Sequence, residues 1–381
     1  MFAILTHFHP SLAWQRCGHI HGSVLLNQEI KRKKTRPVFV GGIQVGGDAP
    51  VVVQSMTCTD TRDVQATVGQ IRAMEEAGCE IVRVAVPDME AAAALANIRK
   101  QIRIPLIADI HFNHRLALQA MKNGVDGIRI NPGNMGVEKV KTIIKAAKSR
   151  NVVIRIGINA GSLEQELLTK YGGPTPDALV ESALKSIALF EAMDFRNIKL
   201  SLKSSNVATM IEAYRAIADK TDYPLHLGVT EAGTPVNAAI KSAMGIGMLL
   251  YEGIGDTIRV SVTGSPVLEM GIAYGILRAL NIRKIGPDII SCPTCGRCEI
   301  DLFKLSEEVE AKLAGLKTYL KIALMGCVVN GPGEAAEADI GIAGGRGSGL
   351  LFKKGQVLRK IKEEEFVPVL IEEIKKMTSG N

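Results

Sequence analysis

A regular alternation of short β-branched runs and amphipathic segments extends from Pro50 to about Leu280. Each run ends in polar residues, and a helical pattern such as DVQATVGQIRAMEEAG follows it. The runs are VVVQSMT (51–57), IVRVAVP (81–87), PLIADIHF (105–112), GIRINPGN (127–134), VVIRIGINAGS (152–162), NIKLSLKSS (197–205), PLHLGVTEAG (224–233) and TIRVSVTG (257–264). Eight strand–helix units over this length predict an α/β fold, a closed (β/α)8 TIM-type barrel, which typically takes about 250 residues. An open doubly wound sheet is the alternative, but it usually carries a glycine-rich loop after its first strand, and QSMTCTDTRD is not one.

The alternation stops after Ile285, where SCPTCGRC and the helical stretch LFKLSEEVEAKLAGL follow. These segments and the rest of the chain are typical of a small α+β domain. We therefore predict three regions: a disordered extension at 1–30, a barrel at 31–285 and a second domain at 286–381. The GGRGSG stretch at 344–349 has no helix after it, so it predicts a hairpin turn and not a phosphate-binding loop.

Composition and charge narrow the functional classes. No apolar run approaches the roughly 20 residues that a membrane span requires, and residues 1–30 lack the pattern of a secretory signal. The net charge of +7 is dispersed and aromatic residues make up 4%, which disfavours a nucleic-acid surface built on base stacking. Seven cysteines, four of them late in the chain, are not a disulfide framework, so we expect reduced thiols and a cytoplasmic protein.

Polar side chains recur at the ends of the predicted barrel strands, where chemistry is located in this fold. Residues two apart on a strand share a face, so these side chains are predicted to point into one space. The residues are Arg83, Asp109, His111, Arg129, Asn131, Arg155, Asn159, Ser201, Lys203, His226, Arg259 and Ser261.

Cations outnumber acids at these positions. Five cations on five strands face mainly Asp109 and Glu231, too few carboxylates to neutralise them. Any single arginine is equally consistent with an internal salt bridge, but the set favours a phosphorylated small substrate such as a diphosphate, which arginine binds bidentately. Glu231 lies near His226 and is either a general acid or base or an arginine partner.

The late cysteines predict a metal site. Cys292, Cys295 and Cys298 form a C-x2-C-x2-C motif, and Cys327 in MGCVVNGPGE is the only cysteine after them. Four cysteines can close a zinc site or hold an iron–sulfur cluster. The Cys-Pro step and the glycine-rich turn around Cys327 favour iron–sulfur modestly.

Long motifs give this chain a specific resemblance. It resembles the 4-hydroxy-3-methylbut-2-enyl diphosphate synthase family, iron–sulfur enzymes of the non-mevalonate isoprenoid pathway, in the two-domain bacterial form. From about Lys31 onward the matching stretches are VQSMT, ADIHF, RINPGN, RIGINAGSLE, PTPDALVESA, LHLGVTEAG, YEGIGDTIRVS, ISCPTCGR and GCVVNGPGEA.

The resemblance implies a [4Fe–4S] cluster held by Cys292, Cys295, Cys327 and Glu334. Cys298 departs from the family pattern, so a site made of cysteines alone is the alternative. We favour Glu334, because a carboxylate is a weaker and more exchangeable ligand than a thiolate and leaves one iron open to a substrate oxygen.

The resemblance also implies an activity: reductive ring opening and dehydration of 2-C-methyl-D-erythritol 2,4-cyclodiphosphate, with electrons from a flavodoxin or ferredoxin. Glu231 would be the acid or base, and Glu334, the exchangeable cluster ligand, would be the second catalytic residue. Asp109, His111 and His226 would line the pocket, and Asn113 and His114 depart from the family pattern. The family implies a homodimer in which the cluster domain of one chain caps the barrel of the other. The residues implied to clamp the diphosphate are Arg83, Arg129, Asn131, Arg155, Lys203, Arg259 and Ser261.

Two other functional classes are alternatives. A radical enzyme that uses S-adenosylmethionine carries C-x3-C-x2-C at an early barrel strand, whereas the cysteines here are late and differently spaced. A phosphate-binding barrel with a structural zinc site, or an electron carrier, would differ from the leading interpretation in its iron and sulfide content.

Overall fold

The computed structural model describes residues 30–327 and 337–378. In these residues two short antiparallel strands precede eight parallel strands that form one sheet. The antiparallel strands are β1 (Val38–Val40) and β2 (Ile43–Val45). The parallel strands are β3 (Val52–Met56), β4 (Ile81–Ala85), β5 (Leu106–Asp109), β6 (Gly127–Ile130), β7 (Val153–Asn159), β8 (Ile198–Lys203), β9 (His226–Leu227) and β10 (Thr257–Ile258).

The parallel sheet closes into a barrel. Its strands are hydrogen-bonded in the order β8-β7-β6-β5-β4-β3-β10-β9. A parallel bridge between Leu200 and Leu225 joins the two ends, and Leu200 N donates to Pro224 O at 2.9 Å. The predicted (β/α)8 barrel is confirmed, and the open doubly wound sheet is excluded.

Helices cover the outside of the barrel. Several begin at a side chain that accepts a hydrogen bond from the first turn, such as Asp63, Asp88 and Asn206, which satisfies an otherwise unpaired backbone N–H. The helices are α1 (Val64–Glu76), α2 (Met89–Gln101), α3 (His114–Lys122), α4 (Val137–Arg150), α5 (Gln165–Tyr171), α6 (Pro176–Glu191), α7 (Val207–Ala218), α8 (Pro235–Tyr251) and α9 (Val267–Ala279).

The β1–β2 hairpin packs against the amino ends of the barrel strands. Val38, Val40 and Val45 form one buried apolar cluster with strand residues that include Val52 and Ile107. Sequence analysis did not predict this hairpin. It covers the end of the barrel opposite the predicted site.

A second, five-stranded sheet follows the barrel. Its strands are hydrogen-bonded in chain order; the first three are parallel and the last two pairings are antiparallel. The hairpin predicted from GGRGSG is confirmed, because Gly344 pairs with Gly349. The elements are β11 (Pro287–Ser291), α10 (Leu302–Leu313), β12 (Leu320–Met325), β13 (Ile340–Gly345), β14 (Ser348–Lys353), β15 (Gln356–Lys362) and α11 (Phe366–Thr378).

Helices α10 and α11 pack on this sheet around Val309, Ile322, Ile342 and Leu370, in an apolar core separate from that of the barrel. This arrangement is the α+β domain that the sequence predicts. None of the helices in the described residues combines the length and apolar character needed to cross a membrane.

Candidate active site

A cavity of about 310 Å³ opens at the carboxyl ends of the barrel strands. The alternation of side chains along each strand explains its composition, because residues two apart point to the same side. The structure brings together most of the residues that the sequence singles out. The lining residues are Arg83, Asp109, His111, Arg129, Arg155, Asn159, Ser201, Lys203, Thr230, Glu231, Arg259 and Ser261.

Asp109 organises one side of the cavity. Arg129 Nη1 donates to Asp109 Oδ1 at 3.3 Å and to His111 Nε2 at 2.8 Å, and Arg83 Nε lies 3.7 Å from Asp109 Oδ2. Burial by itself raises the pKa of Asp109, but Arg83, His111 and Arg129 outweigh it and hold the pKa well below its usual value. Asp109 is therefore a fixed anion that orients two arginines.

Arg155 and Lys203 have no such carboxylate partner among the described residues. Arg155 is 2% exposed, and its Nε and Nη1 have no hydrogen-bond acceptor among the described residues. Burial, together with Arg83 and Arg129, lowers the pKa of Arg155 well below its usual value. Burial, then Arg155 and Arg259, does the same for Lys203. Buried cations without acceptors are costly, and an anionic ligand in the cavity removes that cost.

Two glycines make room for these cations. A Cβ atom at Gly157 would clash with the guanidinium of Arg129, and one at Gly228 would clash with the ammonium of Lys203. Asn159, with its amide oxygen facing Arg129, accepts from Nη2 at 3.0 Å. The cations are thus held in place by neighbours on adjacent strands.

Glu231 lies at the rim of the cavity, exposed, in the segment after β9. Its φ of 53° places a residue with a side chain in the left-handed region, which is uncommon for residues other than glycine. Such strained residues concentrate at functional sites. A functional role for the Glu231 carboxylate stays a prediction.

Asn131 and His226, both predicted to contact the substrate, do not line the cavity. Asn131 accepts a hydrogen bond from Gly133 N at 3.2 Å and donates to Ser162 Oγ at 3.2 Å, which stabilises the turn after β6. His226 is fully buried below the cavity, where its Nδ1 lies 2.8 Å from Thr257 Oγ1. Burial, then Arg155, lowers the pKa of His226 well below its usual value.

Sequence analysis missed Glu269. This residue of α9 is 1% exposed, and its Oε1 lies 3.2 Å from Arg259 Nη2. Ser55 Oγ donates to Glu269 Oε2 at 2.7 Å. The available signal was the single acid in a mostly apolar helix, VLEMGIAYGILRA. Glu269, which does not line the cavity, neutralises Arg259. The five cations of the cavity still outnumber the three acids Asp109, Glu231 and Glu269, so the cavity stays positively charged.

The cysteines follow two neighbouring parallel strands of the second sheet. Cys292 comes directly after β11 and Cys327 two residues after β12, and Gly326 N donates to Cys292 Sγ at 3.2 Å. Cys295 is exposed, and backbone and side-chain hydrogen bonds from Arg297 lower its pKa. Cys298 donates to Ile300 O at 3.3 Å and packs against Gly326.

This donor set fits an iron–sulfur cluster. The thiols are free, thiolates are the usual ligands of such clusters, and N–H donors to sulfur tune them. Within the described residues, no three His, Cys, Asp or Glu side chains lie together closely enough to hold one metal ion. The predicted fourth ligand, Glu334, lies outside the described residues.

Comparisons with known proteins agree with this architecture. Residues 35–274 match the family model of the GcpE TIM-barrel domain, and residues 288–376 match that of the GcpE protein C-terminal domain. A solved dihydropteroate synthase from Stenotrophomonas maltophilia aligns with 65% of this chain and 98% of its own at 13% identity, with a TM-score of 0.48. That likeness is too low to carry an argument.

Two relatives are far more similar. A protein of Clostridium perfringens named 4-hydroxy-3-methylbut-2-en-1-yl diphosphate synthase (flavodoxin) is 61% identical over 343 residues, which is 90% of this chain and 98% of the relative. A protein of Maridesulfovibrio salexigens with the same name is 59% identical over 347 residues, which is 91% of this chain and 97% of the relative. The chain therefore belongs to the GcpE family of 4-hydroxy-3-methylbut-2-en-1-yl diphosphate synthases.

Proposed function

We propose that this chain converts 2-C-methyl-D-erythritol 2,4-cyclodiphosphate into 4-hydroxy-3-methylbut-2-enyl diphosphate, as an iron–sulfur oxidoreductase of isoprenoid biosynthesis. The reaction takes up two electrons and two protons, opens the cyclic diphosphate and releases one water. The observation that carries the proposal is the excess of buried cations in the barrel mouth, where two guanidinium nitrogens of Arg155 find no acceptor in the described part of the chain.

The cations bind and orient the diphosphate. Arg155 and Lys203 are buried and have no carboxylate partner within ion-pair distance among the described residues, so their donors are available to phosphate oxygens. Arg83 and Arg129 are already positioned by Asp109, which reduces the entropy lost when they bind the ligand. Arg259 and Ser261 close the opposite side of the cavity.

Glu231 serves as the acid or base. Its place at the rim puts a carboxyl group beside the diphosphate site but outside the cluster of arginines. A carboxylic acid in this position can deliver the proton that the departing hydroxyl oxygen needs to leave as water.

The C-terminal domain would hold a [4Fe–4S] cluster through Cys292, Cys295, Cys327 and Glu334. Such a cluster passes on single electrons and, with a carboxylate on one iron, offers that iron to a substrate oxygen. The relatives are named for flavodoxin, so flavodoxin is the proposed electron donor, with ferredoxin as the alternative.

The expected cytoplasmic location stays a prediction.

We further propose a homodimer in which the cluster domain of one chain caps the barrel of its partner. An apolar stripe on α8 supports an association between chains. Val236, Ile240, Met244 and Tyr251 are exposed by 53% to 71% along this stripe, and only Lys241 is charged among the 17 residues of α8. Exposed apolar surface of this extent is typical of interfaces.

Complementation between chains tests this arrangement. We would mix Glu231→Gln chains with Cys292→Ser chains under conditions that exchange subunits. If the site combines two chains, the mixture regains part of the activity that each variant lacks alone. A mixture that exchanges subunits and stays inactive contradicts capping by the partner.

Anaerobic turnover of the cyclodiphosphate with reduced flavodoxin tests the reaction itself. We expect formation of the linear diphosphate, four iron and four sulfide per chain, and an electron paramagnetic resonance spectrum of the reduced cluster that changes when substrate is added. Zinc in place of iron, or a cluster spectrum indifferent to the substrate, would leave only a phosphate-binding barrel with an unrelated metal domain.

A further inference from the structure

A polar layer lies below the cavity, deeper in the barrel. It contains Gln54, Lys199 and His226, each no more than 1% exposed. Lys199 Nζ reaches across the barrel to Gln54 Oε1 at 3.5 Å. The Nε2 atoms of Gln54 and His226 have no hydrogen-bond partner among the described residues. Barrel interiors are usually filled by apolar side chains, so this layer is an exception, and the proposed reaction does not use it.

Lys199 makes no ion pair among the described residues. The cations that act on it most strongly are Arg155, its register partner on β7, and Arg83 on β4. Burial, followed by Arg155 and then Arg83, lowers the pKa of Lys199 to about 7. His226 on β9 faces the same space, and burial, Arg155, Lys203 and Lys199 all disfavour its charged form.

The one acid that acts on Lys199 is already engaged. Asp256 accepts hydrogen bonds from Thr35 Oγ1 at 2.8 Å, Arg32 Nη2 at 3.0 Å and Leu225 N at 2.8 Å. Its effect on Lys199 is smaller than those of burial and of the two arginines. The lysine is therefore balanced between its neutral and charged forms.

Lys199 is close enough to the cavity to respond to its contents. Lys199, Ser201 and Lys203 alternate along β8 on one face, and both Ser201 and Lys203 line the cavity. Two residues along a strand span about 7 Å. An anion in the cavity therefore acts on Lys199 through the barrel interior, where solvent screening is weak.

We propose that Lys199 takes up a proton from solvent water when a diphosphate fills the barrel mouth, so that ligand binding and protonation of the buried layer are linked. The inference rests on the proposed diphosphate site and adds a positioning residue to it. Only the neutral amine of Lys199 gains a proton, and no bond of the ligand changes. In the free protein the neutral lysine avoids repulsion from Arg155; in the complex its ammonium adds one positive charge.

This linkage fixes the sign of the pH dependence of the affinity for diphosphate. Because binding favours the protonated lysine, the affinity for diphosphate falls as the pH rises above about 7, over the range in which free Lys199 is neutral. Removing the amine flattens this part of the profile.

Calorimetry with inorganic pyrophosphate tests the proposal. Titrations of the full chain at about pH 8, in two buffers of different ionisation enthalpy, give the number of protons taken up per ligand bound. We expect wild type to take up more protons per ligand than Lys199→Met, by at most one, because a lysine with a pKa of about 7 is mostly neutral at that pH. Protonation of the probe itself is the same in both titrations and cancels in the difference.

Lys148→Met is the matched control, because Lys148 is 52% exposed on α4 and pairs with Asp194 on the surface; it should match wild type. Equal uptake by wild type and Lys199→Met, with both binding pyrophosphate, overturns the inference and leaves the proposed function intact. Failure of wild type to bind pyrophosphate overturns the proposed function itself. If Lys199→Met does not fold, Lys199→Gln removes the same titrating group, and the same two outcomes apply.

Discussion

In the barrel, five cationic side chains reach one cavity from strands whose hydrogen bonds fix their positions. In the C-terminal domain, the cysteines lie on segments that follow two strands, and no three ligands converge within the described residues. In the barrel, folding alone brings the binding residues together before any ligand arrives. The cysteine site depends on its metal to bring the ligands together.

This difference predicts that the two sites fail separately. A change in the barrel mouth should weaken substrate binding or chemistry and leave iron content unchanged. A change of a cluster ligand should remove iron and activity and leave anion binding by the barrel unchanged. The following variants test that separation, from the largest expected effect to the smallest.

Cys292→Ser should have the largest effect. It replaces a thiolate directly after β11 with a much weaker ligand. We expect loss of iron and of all measurable turnover, whereas pyrophosphate still binds with wild-type affinity. Iron and sulfide analysis with calorimetry on the same preparation checks both. Cys58→Ser is the control, because Cys58 is an exposed free thiol of the barrel; full iron in Cys292→Ser would refute the ligand assignment.

Glu231→Gln should lower kcat by roughly 10²- to 10⁴-fold, the usual contribution of a positioned acid or base. Pyrophosphate affinity and the cluster spectrum should not change, because Glu231 lies at the rim and is not paired with the buried arginines. Steady-state kinetics over a range of pH measures the effect, with the exposed Glu138→Gln on α4 as control. A loss of affinity with unchanged kcat would instead assign Glu231 to binding.

Arg155→Met should lower kcat/KM by about 10²- to 10³-fold, because charge-assisted hydrogen bonds to phosphate oxygens are lost. The same change should raise thermal stability, since it removes a buried cation that Arg83 and Arg129 repel. Kinetics and thermal melts on one preparation show both effects. Arg150→Met, on the exposed end of α4, should change neither; a destabilised Arg155→Met would show that Arg155 supports the fold.

The sequence predicts the residues that line the barrel mouth better than the residues that hold them in place. Strand periodicity alone places Arg129, Arg155 and Lys203 on the inner face, because alternation along a strand is a local property. Glu269 could not be placed in this way, since its contact with Arg259 depends on how α9 packs against the barrel. His226 shares the inner face but lies one layer too deep, and alternation does not report depth.

The cysteine domain is predicted less completely for a related physical reason. The spacing of Cys292, Cys295 and Cys298 indicates a metal, but the choice among these ligands depends on long-range pairing of β11 with β12. That pairing brings Gly326, next to Cys327, beside both Cys292 and Cys298. Spacing alone therefore cannot separate a ligand from a neighbouring thiol.

Cys298→Ser should have the smallest effect and tests this last distinction. The thiol of Cys298 donates to Ile300 O at 3.3 Å, which a serine hydroxyl can also do, and its sulfur packs against Gly326. We expect iron content, the reduced cluster spectrum and turnover to stay at wild-type levels, whereas Cys295→Ser, three residues earlier, loses iron. Loss of iron from Cys298→Ser would make it a ligand and would favour a cluster held by four cysteines. Because such a cluster leaves no iron open to a substrate oxygen, that result would also limit the C-terminal domain to electron transfer and leave the chemistry to the barrel.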